Sequence, residues 1–122
     1  MKRFGKFAFI MIFAACFFVQ KSAIAQDPLK VAPKAFKEKL NNAHVNVLEY
    51  ASKPGEKEAM HSHPAILIYV IKGGKLKSTT PDGKSQMIEY KDGDIAWREP
   101  ITHTIENVGT TEIKALLIET KK

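Results

Sequence analysis

Cysteine occurs once in the 122 residues, at Cys16. A lone thiol excludes an intrachain disulfide framework and a cysteine-based zinc finger. Apolar runs are short: the longest, Phe7–Val19, has 13 residues without a polar side chain. A membrane-spanning helix needs about 20. Charge of one sign is scarce outside the N-terminus. Residues 1–25 carry Lys2, Arg3, Lys6 and Lys21 and no acid, leaving 15 cations against 13 acids from Gln26 onward. Nothing there resembles the clustered Lys/Arg of a nucleic-acid surface, so no nucleic-acid partner is expected. No Ser-His-acid or paired-carboxylate pattern marks a hydrolase site. With 44% apolar and 26% charged residues, the composition is that of a folded domain.

The N-terminus reads as an address. A basic stretch (Met1–Lys6), the apolar run and the small-x-small triplet Ala23-Ile24-Ala25 form the three zones of a secretory signal peptide, with cleavage expected before Gln26. Residues 1–25 are therefore set apart from the fold. The expected location is periplasmic or secreted, with no membrane attachment after cleavage. The only cysteine leaves with the leader.

Residues 26–43 are polar and punctuated by Pro28 and Pro33. They read as a lead-in segment, with a short helix expected within Lys34–Leu40. From residue 44 to 122 the pattern is all-β and forms one domain. Val45–Ala51, Ile66–Ile71, Lys75–Thr80, Gln86–Tyr90, Ile95–Arg98, His103–Val108 and Glu112–Glu119 read as seven strands, and turn signals recur every 8–12 residues. Pro81-Asp82-Gly83 reads as a hairpin turn and Lys91-Asp92-Gly93-Asp94 as a second turn. Ile66–Ile71 is an unbroken apolar run ended by Gly73-Gly74, as expected of a strand buried on both faces. Ile66, Ile68 and Val70 share one parity and should face the interior; Leu67, Tyr69 and Ile71 should face another layer. The last strand is also apolar on both faces at its centre, which calls for a homodimer seam or a second sheet layer.

Four histidines are present: His44, His61, His63 and His103. His61 and His63 are two apart, so on a strand they point to one face. Two imidazoles on one face can supply two adjacent ligands to one metal. His44 has no companion and is expected to be structural or exposed.

The histidine context carries more. Gly55-x5-His61-x-His63, followed by an apolar strand ending at Gly73, resembles the first motif of the cupin superfamily. Gly93-Asp94-x8-His103-x3-Asn107 resembles the second. The chain looks closest to small single-domain cupins of the quercetin-dioxygenase-like or β-alanine-degradation type. That resemblance implies a double-stranded β-helix, a jelly-roll barrel, in which His61, His63 and His103 converge on one divalent transition metal. Neutral imidazoles suit Fe, Mn, Ni, Cu, Co or Zn, and the sequence does not choose among them. It further implies a small-molecule ligand or substrate and dioxygenase-like oxidoreductase chemistry, or a non-catalytic binding module. An isomerase or epimerase would need an acid–base pair that the pattern does not supply.

Two positions depart from the motifs. The family usually has a ligating Glu shortly after the second histidine; Ile66, or Leu67, stands there, beside Ala65. The metal's charge is then expected to be uncompensated, which favours small chelating anions at its open positions. Glu99 takes the place of a Pro in the second motif and is a candidate substitute. Arg98 is a candidate carboxylate clamp, Trp97 a pocket wall or core residue. Asn107 shares parity with His103 and is a candidate hydrogen-bond partner within the barrel.

Overall fold

The computed structural model describes residues 26–122. The expected signal peptide lies outside the described residues. Among them are one short helix, α1 (Pro28–Val31), and nine strands: β1 (Phe36–Asn41), β2 (Val45–Ser52), β3 (Lys57–His63), β4 (Ile66–Lys72), β5 (Gly74–Thr79), β6 (Ser85–Tyr90), β7 (Ile95–Arg98), β8 (Ile101–Asn107) and β9 (Ile113–Thr120). They form two sheets, five-stranded in the order β1-β2-β9-β4-β7 and four-stranded in the order β3-β8-β5-β6. The pairings are antiparallel. No helix among the described residues is long and apolar enough to cross a membrane.

The two-residue period of a strand sorts side chains between the core and the outside. On β9, Ile113, Ala115 and Leu117 are buried and alternate with half-buried Lys114, Leu116 and Ile118. On β4, Ile66, Ile68 and Val70 face the core as expected. Leu67, Tyr69 and Ile71 do not meet another layer: they are exposed on the outer face of the five-stranded sheet. The unbroken apolar run therefore belongs to a strand with one buried face. Leu76 and Ile105 close the core from the four-stranded sheet.

The expected helix within Lys34–Leu40 is absent; β1 occupies that stretch and pairs with β2. Tertiary pairing has overridden a weak local helical preference. The swap matters for the site, because it drives Phe36 into the core. Helix α1 starts earlier, with Asp27 as its N-cap accepting from the Leu29 N–H at 2.9 Å and Pro28 in its first turn.

Candidate metal centre

All three clustered histidines stand on the four-stranded sheet. β3 carries His61 and His63 on one face, and β8 places His103 directly across from His61. Strand parity and cross-strand register thus set the triangle. Ring centroids lie 4.8 Å apart for His61–His63, 4.9 Å for His61–His103 and 5.6 Å for His63–His103. One nitrogen from each ring lies within 4.8 Å of the other two. His44 is exposed and outside the group.

The opposite edge of each ring is already engaged. His61 Nδ1–H donates to the Ala59 carbonyl at 2.6 Å. His63 Nδ1–H donates to a Glu119 carboxylate oxygen at 3.0 Å. His103 Nδ1 is bonded to Ser78 Oγ at 2.8 Å. A carbonyl or carboxylate only accepts, so the first two rings carry their proton on Nδ1 and a free lone pair on Nε2. Among the described residues His61 Nε2 is buried with no hydrogen-bond partner, an arrangement that costs stability unless something binds there. Burial holds His61 down to about 4. Burial, then His61, His63 and Arg98, holds His103 down to about 3. Both rings are therefore neutral at pH 7, the form that binds metal. The donor set fits a divalent transition ion: imidazole nitrogens, oriented from behind, around an orphaned buried lone pair.

Glu119 escapes a reading based on the motif alone. It lies in the last strand, in register with Ile66 on β4. The carboxylate missing from the first motif's usual place is thus supplied one strand over, behind His63 rather than facing the lone pairs. The signal was in the sequence: Glu119 continues the inward parity of Ile113, Ala115 and Leu117, and a buried acid needs a partner. Its second oxygen lies 3.4 Å from the Asn46 amide nitrogen. Glu119 thus sets a negative charge behind His63, while among the described residues no carboxylate joins the three imidazoles themselves.

The histidines open into a cavity of about 110 Å³ inside the barrel. Ile68, Val70, Leu76, Ile88, Ile101 and Leu117 give it an apolar wall, and Tyr50, Gln86, Tyr90 and Arg98 are lining polar side chains that bond to no histidine. Phe36 from β1 packs edge-on to His61 and His63, with centroids 5.1 and 5.7 Å away. The stretch expected as a lead-in therefore forms part of the site.

The remaining candidates separate. Arg98 lines the cavity, and its Nη2 donates to the Tyr90 hydroxyl at 2.9 Å. Trp97 faces the other way and is half-exposed on the outer face. Its indole N–H donates to exposed Glu99 at 2.7 Å, so neither residue lines the cavity and Glu99 is no substitute ligand here. Asn107 is buried and does point inward, but its amide is spent on the Ser52 and Thr111 carbonyls, both at 2.9 Å. It ties loops together and bonds to no histidine.

Tyr50, on the cavity wall, leads to a buried acid. Its hydroxyl donates to Glu58 at 2.6 Å, and Ser52 Oγ lies 3.4 Å from the other Glu58 oxygen. Burial pushes the Glu58 carboxyl up to about 7 and moves the Tyr50 hydroxyl up as well.

No family model and no curated protein matches the sequence. Solved structures do. A cupin domain from Bordetella pertussis Tohama I is 27% identical with a TM-score of 0.65, over 71% of this chain and 92% of that one. An RmlC-like cupin family protein with a double-stranded β-helix fold, from Methanocaldococcus jannaschii, is 20% identical with a TM-score of 0.56, over 70% and 77%. An oxalate decarboxylase structure is 22% identical with a TM-score of 0.52, over 70% of this chain but 25% of that one. The fold is the cupin double-stranded β-helix.

Proposed function

We propose that this chain is a small exported cupin that holds one divalent transition metal through His61, His63 and His103 and presents it to a small chelating anion. The convergence of three imidazoles, each with Nδ1 already engaged, carries this reading. A bound metal would act as a Lewis acid and, if redox-active, support the dioxygenase-like oxidation associated with quercetin-dioxygenase-like cupins. The protein's own part is narrower. Ala59, Glu119 and Ser78 fix the imidazoles, and the apolar wall excludes water around the ligand. Export rests on the three-zone N-terminus.

A second reading keeps the same pocket without catalysis, as a binding module with or without metal. The mostly apolar cavity wall favours it, since no free acid or base sits beside the imidazoles there.

Elemental analysis of the purified parent and of His61→Ala, His63→Ala, His103→Ala and His44→Ala variants tests the metal reading. About one equivalent is expected in the parent and in His44→Ala, and a steep loss in the other three. Equal metal content in all five proteins would end it. Oxygen uptake by iron-loaded protein with diketones, flavonols and thiols then separates enzyme from binding module.

A further inference from the structure

Arg98 is the only arginine beyond residue 25, and it is turned into an apolar cavity. Its strand, β7, pairs with β4, which puts Arg98 directly across from Ile66. Ile66 is in turn across from Glu119. The row Arg98–Ile66–Glu119 thus sets a cation and an acid on either side of one aliphatic residue, about 10 Å apart by strand spacing. They form no ion pair, and among the described residues no carboxylate lies within ion-pair distance of Arg98. Glu119 is committed to His63. The guanidinium is braced by one bond to the Tyr90 hydroxyl and sits 5.8 Å from that ring's centre. Among the described residues its remaining N–H donors have no partner. A guanidinium is a planar fork matched to a carboxylate.

We propose that Arg98, braced by Tyr90, is an anion subsite of this pocket, and that the ligand class is a small monocarboxylate with an apolar body and a second oxygen donor for the metal. The inference rests on the metal reading above and adds the second attachment point. Carboxylate and histidine site would hold opposite ends of one molecule, with the body against the aliphatic wall.

The test uses cobalt-loaded protein and two probes, 4-oxopentanoate and its neutral methyl ester, followed by the visible spectrum of the cobalt. The parent is expected to prefer the acid over the ester. Arg98→Gln should weaken the acid by about 10- to 100-fold and leave the ester and the cobalt content unchanged, since a charge-assisted pair contributes about 1.5–3 kcal/mol. Arg98→Lys should recover part of the loss and Tyr90→Phe should lose less than Arg98→Gln. Equal acid affinity in Arg98→Gln and parent, with cobalt retained, overturns the subsite and spares the metal reading. Failure of the parent to retain cobalt overturns the metal reading, and the proposed two-point ligand with it.

Discussion

Glu119 shows how much one side chain can decide. Its carboxylate receives the His63 Nδ1–H at 3.0 Å, which fixes both the tautomer and the ring plane. The pair also moves negative charge one imidazole away from where a metal would sit, so all three protein ligands stay neutral nitrogens. A glutamate at the position of Ile66 would instead have taken a coordination position of its own. Glu119→Gln keeps an oxygen that can accept the Nδ1–H but removes the charge. It should lower metal affinity by about 10- to 100-fold, the usual effect of losing a partner behind a ligand, without unfolding the barrel. Competition against a chelator of known strength reads this directly, with circular dichroism as the folding control. An unchanged affinity would mean that Glu119 only fills a polar hole between His63 and Asn46.

At the scale of elements, the clearest information lay in parity and turns. His61 and His63 sit two apart on β3, and the inward set Ile66, Ile68 and Val70 follows the same rule. The Asp82-Gly83 and Asp92-Gly93 turns occur between β5 and β6 and between β6 and β7, with both glycines at positive φ. Positive φ at a tight turn is the reason such dipeptides are legible at all. Three things could not be read locally. The stretch 36–41 has a mixed pattern, and only its pairing with β2 makes it a strand that delivers Phe36 to the histidines. The apolar run of β4 looked buried on both sides because the outer face of this sheet is itself apolar, a property of five strands together. Arg98 and Trp97 point in opposite directions, and which one enters the barrel depends on the register of β7 against β4. Ser78, Tyr50 and Glu58 are ordinary strand residues in sequence. They acquire roles through the strands that fold over them.

For the whole molecule, the buried titratable groups make stability a function of pH, and their contributions oppose one another. In the metal-free protein His61 and His103 lie at about 4 and about 3, against an ordinary value of 6.5. Between those limits the unfolded chain binds protons that the folded one refuses, so acid destabilises the fold below about pH 6.5. Glu58 works the other way. Its folded value of about 7 stands above the ordinary 4.5, so the folded state holds a proton that the unfolded state has lost. Its contribution is intact below pH 4.5, declines as the pH rises, and is spent once the pH passes 7. The ionised carboxylate is then confined beside Tyr50 and Ser52 with no cation among the described residues to answer it. Glu58→Gln retains an acceptor for the Tyr50 hydroxyl and abolishes the titration. Urea denaturation of chelator-treated protein should find the variant close to the parent near pH 4.5 and more stable at pH 8, by up to about 3 kcal/mol at 1.36 kcal/mol per pKa unit. For a domain of this size that corresponds to roughly 10 °C or more in Tm. Indistinguishable stabilities at pH 8 would mean that Glu58 is solvated well enough to ionise at its ordinary value. A variant profile that rises steadily from pH 4 to 7 would isolate the histidine contribution, and added metal should steepen it, because protons and metal compete for the same lone pairs.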